Sequence, residues 1–307
     1  MHQSNRRRVL RVLAAAAGLA AVGSGGRSEG QPRPAMRTRT IAAGGEEVPV
    51  IGLGTWQTFD VGHGAAAREP LAAVLRAFVD SGGRVIDSSP MYGSSEEVVG
   101  DLAAALGVLP QLFVATKVWT TGKAAGIRQM EESMRKLRTA RIDLMQVHNL
   151  VDAANHLETL TAWKREGRIR YLGVTHYTAG GQLDLARLVE RTPVDAIQIN
   201  YSVGEREAER RLLPLARDRG VAVIVNRPFA GGDLFRRLRS RPLPSWAAEI
   251  ECASWAQVLL KWVVAHEAIT CAIPATSQAD HVRDNMAAGL GRLPDEAMRK
   301  RIAAEAV

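Results

Sequence analysis

Cysteine is scarce: Cys252 and Cys271 are the only two in 307 residues. That excludes a disulfide scaffold and a four-cysteine zinc site. One lies in a helical pattern and the other in an apolar run, where unpaired core thiols are expected. The N-terminal apolar run, residues 12–22, is too short to cross a bilayer of about 30 Å as a helix. No permanent membrane anchor is therefore expected. Residues 45–60 contain no histidine, so an H-x-H metal pair near the first strand is missing, and no metal is assigned. The net charge of +8 comes with no nucleic-acid recognition motif. Half of that excess sits in the first thirty residues, where Arg6, Arg7, Arg8, Arg11 and Arg27 face only Glu29. The rest is too thinly spread to track phosphates, and no nucleic-acid partner is expected.

Those first residues, "SNRRRVLRVLAAAAGLAAVGSGG", join a basic segment, an apolar run and small residues, the three parts of an export signal. Arg6-Arg7 followed by Arg8, Val9, Leu10 and Arg11 resembles the twin-arginine pattern, with Asn5 where Ser or Thr is usual. Residues 1–30 are read as a twin-arginine-type signal peptide, cleaved between Ala20 and Gly30. The expectation is a periplasmic protein whose partners include the twin-arginine export machinery.

From about residue 50 onward short apolar runs alternate with amphipathic segments. The runs are "VPVIGLGTW", "RVIDSS", "LFVATKVW", "IDLMQVHN", "RYLGVTHY", "DAIQINYS", "VAVIVNRP" and "ITCAIPATS". Near-continuous apolarity suits parallel strands covered on both faces. Helices are expected over residues 66–79, 156–165, 182–189, 207–217, 254–264 and 278–286. A further helix carries Ile127, Met130, Met134 and Leu137 on one face, and another starts with a Ser/Glu cap at "SSEEVVGDLAAAL". Gly82-Gly83, Gly167 and Gly220 stop helices before the next strand. Eight β–α units predict a (β/α)8 TIM barrel over residues 36–307, with an added N-terminal β-hairpin around "RTRTIAAGGEEVPV". The alternative, an open doubly wound sheet, wants a third glycine that "GLGTWQ" lacks.

The C-terminal strand ends of such a barrel form its working face. Four polar groups collect there: Asp87 and Tyr92 after the second strand, Lys117 on the third and His148 ending the fourth. Seven stretches resemble, in order, the motifs of the aldo-keto reductase family over about residues 38 to 290. The first is "GLGTWQ", and the second is Asp87-Ser88 running on into "SPMYGSSEEVVG". "ATKVW", "DLMQVHN", "GVTHY", "IQINYS" and "AIPATSQADHVRDN" complete the series. The resemblance implies a barrel that reduces aldehydes or ketones with NADP(H), or alternatively NAD(H), and a small carbonyl substrate. It implies Asp87, Tyr92, Lys117 and His148 as the catalytic tetrad. Tyr92 is the expected proton donor, its pKa lowered by the Lys117 ammonium that Asp87 holds. His148 is expected to bind the carbonyl oxygen.

Trp56 and Trp119 match positions lining the substrate mouth. Thr55, Trp56, Asp87, Thr175, His176 and Gln198 match the nicotinamide end of the cofactor site. In "VNRPFAGG", Asn226 stands where many members stack a tyrosine, leaving Arg227 or Phe229, beside Pro228, to replace it. At the adenosine 2′-phosphate the sequence offers Thr276, Ser277, His281 and Asn285, with Ala275 where lysine is frequent. A non-catalytic nucleotide-binding accessory subunit on the same barrel is the alternative function, and the intact tetrad argues for catalysis.

Overall fold

The computed structural model describes residues 35–41 and 45–307; residues 1–30, the expected signal peptide, lie outside them. An antiparallel hairpin, β1 (Thr38–Thr40) with β2 (Glu47–Pro49), comes first. Then follow β3 (Leu53–Gly54), α1 (Ala65–Asp80), β4 (Val85–Asp87), α2 (Ser95–Ala105), β5 (Phe113–Val118), α3 (Lys123–Lys136), β6 (Ile142–His148) and α4 (Ala153–Arg165). The second half comprises β7 (Ile169–His176), α5 (Gln182–Arg191), β8 (Ala196–Asn200), α6 (Leu212–Arg219), β9 (Ala222–Asn226), α7 (Asp233–Leu238), α8 (Trp255–Val264) and β10 (Cys271–Ala272). It ends with α9 (Ala279–Ala287) and α10 (Glu296–Ala306).

Strands β3 to β10 form one parallel sheet in which each pairs with its neighbour in sequence. Bridges Ile51–Ala272 and Gly54–Ala275 join the last strand to the first. The result is the (β/α)8 barrel expected from the alternation. The β-hairpin closes its N-terminal end: Arg39 donates to the carbonyls of Val264 and His266 at 2.8 Å each.

Side chains inside the barrel alternate by two along each strand, as strand geometry requires. On β5 the inward series is Phe113, Ala115, Lys117; on β6 it is Leu144, Gln146, His148; on β8 it is Ala196, Gln198, Asn200. Near the hairpin these residues join Ile41, Val48, Val85, Ile224 and Cys271 in an apolar interior cluster. Toward the strand C-termini the same series turns polar yet stays buried. The helices pack a second, larger cluster against the outer face of the sheet.

Two local expectations are corrected. Residues 207–217 do not form one helix: a 3-10 turn over Glu207–Arg210 ends before α6. Pro214 lacks an amide proton, and its ring would clash with the carbonyl four residues back, so α6 must start beside it. The start of α2 carries no side-chain cap. Ser94 instead donates to Asp60 at 2.8 Å and accepts from the Gly62 amide at 2.8 Å. Buried Glu96 reaches across to accept from Thr116 of β5 (2.5 Å) and Ser133 of α3 (3.1 Å). Gly220 follows α6 at φ 64°, a conformation glycine adopts without Cβ strain. Cys252 and Cys271 are buried and unpaired, and burial raises both thiol pKa values, that of Cys252 to about 11. Among the described residues no helix is long and apolar enough to cross a membrane, and no three His, Cys, Asp or Glu side chains are grouped to hold a metal.

Candidate active site

The tetrad occupies one arc of adjacent strands. Asp87 ends β4, Lys117 lies on β5 and His148 ends β6, while Tyr92 sits in the loop entering α2. The Lys117 ammonium donates to Asp87 Oδ2 and to the Ser88 carbonyl, both at 2.6 Å. Lys117 is fully buried and Asp87 nearly so. Two buried charges persist in an interior only when paired and supplied with further hydrogen bonds. Gln198 (2.8 Å) and Gln146 (3.1 Å) provide these by donating to Asp87 Oδ1. Burial presses the lysine pKa down, but Asp87 and then Tyr92 press it up, and the net direction is upward.

Lys117 Nζ lies 5.0 Å from the centroid of the Tyr92 ring, and that ring meets the His148 imidazole edge-on at 6.0 Å. Burial raises the phenol pKa, the ammonium opposes it, and burial prevails. This corrects the expected net lowering: Lys117 offsets only part of the desolvation. Tyr92 therefore keeps its proton at neutral pH, as a donor must. His148 is neutral, its pKa depressed to about 3 by burial, then by Lys117 and His176.

Trp56 and Trp119 are exposed, at 45% and 43%, and Trp119 lies 6.4 Å from His148 between ring centroids. Met91, 39% exposed, adds a third apolar group in the loop after Ser89. Thr55 is fully buried; its hydroxyl donates to the Asp87 carbonyl (2.9 Å) and lies 3.0 Å from Ser88 Oγ, whose own hydroxyl can donate to it. It pins the end of β4 beside the tetrad. Thr175 is buried at the end of β7, next to His176, whose Nδ1 accepts from the Thr178 amide at 3.3 Å. Gln198 is inward and buried.

The end of β9 leaves polar atoms unpartnered. Among the described residues, Asn226 Oδ1 and Arg227 Nε are buried without hydrogen-bond partners, an acceptor and a donor side by side. Such atoms are costly unless a ligand or water satisfies them. Pro228 is buried, and Phe229 packs on Phe235 with 4.6 Å between centroids. Phe229 is thus engaged with Phe235, while Arg227 stands at φ 50°, in the left-handed region. At the far end Thr276 Oγ1 lies 3.4 Å from His281 Nδ1, and His281 and Asn285 share one face of α9. Ala275 and Ser277 are exposed beside them.

Sequence reasoning missed Gln146, Ser88 and Ser89. Gln146 was findable, since it stands two residues before His148 and must face the same way. The Ser88 carbonyl carried no signal in a side-chain reading.

The profile described as "Aldo/keto reductase family" matches residues 50–304. The chain belongs to that family. It is 32% identical to methylglyoxal reductase YeaE of Escherichia coli over 261 residues, 82% of this chain and 89% of that protein. It is 33% identical to aldo-keto reductase YhdN of Bacillus subtilis over 205 residues, covering 62% and 61% of the two chains. Among solved structures, an aldo-keto reductase of Klebsiella pneumoniae in complex with NADPH superposes with a TM-score of 0.74 at 29% identity, covering 88% of this chain and 96% of that one.

Proposed function

We propose that this aldo-keto reductase converts an aldehyde or ketone to the alcohol with NADP(H), Tyr92 giving the proton, and that it works after export to the periplasm. The observation that carries the chemistry is the buried Lys117–Asp87 pair beneath Tyr92, with neutral His148 beside it.

When bound, the nicotinamide supplies hydride to the carbonyl carbon; the chain's residues do the rest. His148 donates a hydrogen bond to the carbonyl oxygen and counters the charge that develops there. Tyr92 donates its proton to the same oxygen, and the adjacent ammonium stabilises the tyrosinate that remains. Asp87, held by two glutamines, keeps Lys117 charged and in place. Arg227, Asn226, His176 and Gln198 orient the nicotinamide end, and Thr276, Ser277, His281 and Asn285 take the phosphate end. Exposed Trp56, Trp119 and Met91 favour an apolar or aromatic carbonyl compound over a charged one. A non-catalytic subunit would have no use for this connected buried array.

Export rests on the arginine pair and the apolar run of the first thirty residues, outside the described structure. The twin-arginine route carries folded proteins, so cofactor can travel already bound.

Tyr92→Phe tests the chemistry. It removes one hydroxyl and keeps the ring, so reduction of an aromatic aldehyde should fall by at least about a hundredfold while NADPH still quenches protein fluorescence. Turnover at the wild-type rate would remove Tyr92 from the role of proton donor.

A further inference from the structure

The Asp87-Ser88-Ser89 tripeptide holds its partners with three successive residues. The Asp87 carboxylate and the Ser88 carbonyl both take Lys117, and Ser89 Oγ lies 3.1 Å from His148 Nδ1. Ser89 is fully buried, and its hydroxyl oxygen also accepts from the Met91 amide at 3.3 Å. The Tyr92 amide donates to the Ser89 carbonyl at 3.0 Å, so the serine is fixed in a tight turn.

A neutral imidazole carries one proton, and the partner of one nitrogen decides which nitrogen holds it. Suppose Nδ1 held it and donated to Ser89. The serine oxygen would then receive two donors, and its own proton would need a third partner. Among the described residues Ser89 Oγ meets only Met91 N and His148 Nδ1 within hydrogen-bond range. A buried hydroxyl proton without an acceptor costs roughly as much as a lost hydrogen bond. The opposite arrangement satisfies every atom: the Met91 amide donates to Ser89, and Ser89 donates to bare Nδ1. Nε2 is then left protonated.

We propose that Ser89 is a positioning residue that locks His148 into the tautomer with its proton on Nε2, the nitrogen remaining to meet a carbonyl oxygen. This rests on the reading of His148 as the group that binds that oxygen. The relay runs from backbone to serine to imidazole and makes the donor constitutive, present before substrate arrives. Without it the imidazole could present a bare nitrogen to the substrate oxygen, which is repulsive rather than stabilising.

The test is nitrogen NMR on full-length protein carrying ring-labelled histidine. The chain has seven histidines, and the signal lost in His148→Gln identifies the one that matters. The expected wild-type result is an unprotonated Nδ1 and a protonated Nε2 at neutral pH. Ser89→Ala should move His148 toward the other tautomer or a mixture. It should also lower kcat about ten- to a hundredfold with KM little changed, and Ser89→Thr should restore both. A protonated Nδ1 in the wild type overturns the proposal, as does an unaltered tautomer in Ser89→Ala. Full turnover in His148→Gln overturns the catalytic reading of His148 instead, while the nitrogen signals still decide what Ser89 does.

Discussion

Lys117→Met removes a cation from the most deeply buried ion pair of the described residues and leaves Asp87 behind. Deleting one partner of a buried pair costs about 3–5 kcal/mol, because the other charge stays desolvated. Here Gln146 and Gln198 still donate to Asp87 Oδ1, so the loss should lie at the lower end, about 3 kcal/mol. With roughly 2–4 °C per kcal/mol for a large domain, Tm should fall by about 6–12 °C. Scanning calorimetry at a fixed scan rate measures it. Adding Asp87→Asn removes the stranded charge, so the double variant should regain most of that stability. It should not regain activity, since nothing then stabilises the tyrosinate. In the single variant kcat and kcat/KM should fall together, the sign of an interaction made in the transition state. A stability loss under about 1 kcal/mol, or a double variant less stable than the single, would refute the pair as a coupled buried unit. A double variant of near wild-type activity would refute its part in catalysis.

The same pair gives a pH signature. The Lys117 pKa is raised on folding, so its contribution is complete below the unfolded value of about 10.4 and is lost as pH climbs through the folded one. The Tm gap between wild type and Lys117→Met should therefore hold at neutral pH and narrow only above about pH 10.4; a gap that closes near pH 8 would contradict it. Ala275→Lys places an ammonium on an exposed position beside Thr276 and Ser277. It should strengthen the preference for NADPH over NADH by about 1–2 kcal/mol, less at high salt, as read by fluorescence titration with both nucleotides. An unchanged ratio would place the 2′-phosphate elsewhere. Replacing Arg6-Arg7 by Lys-Lys should leave folded precursor in the cytoplasm, and normal export of that variant would rule out the twin-arginine route.

The barrel was legible because each buried parallel strand announces itself as an apolar run, and because the runs end in polar residues at matching places. Asp87, Lys117 and His148 stood out by breaking that apolarity. Gln146 breaks it as well, but an amide inside a strand draws less notice than a charge, and Gln198 reads as a nicotinamide contact with nothing in its spacing to show that it holds Asp87. Helix boundaries were less legible where one residue overrides the pattern, as Pro214 does at α6. The Ser/Glu start of α2 resembles a cap in sequence, yet Ser94 turns to Asp60 and Glu96 to Thr116 and Ser133, and no side-chain cap forms. Helix α10, whose Asp295 cap accepts from the Met298 amide at 2.9 Å, lies past the last barrel unit and so past the repeat that guided the reading. The pKa of Tyr92 depends on how deeply the phenol is buried, a quantity that spacing does not encode.

The closing bridges between the last strand and the first divide the ring's labour. The tetrad lies on β4 to β6 and the loop after β4, whereas most residues proposed for the nucleotide lie from the end of β7 to α9, passing the seam where Ala275 pairs with Gly54. The seam is the thinnest part of the circle, two bridges flanked by the two-residue ladders β9–β10 and β3–β4, and a dinucleotide held as proposed at Thr276 and Ser277 would act as a clasp beside it. Its binding energy then adds to the stability of the whole ring in proportion to the logarithm of its concentration.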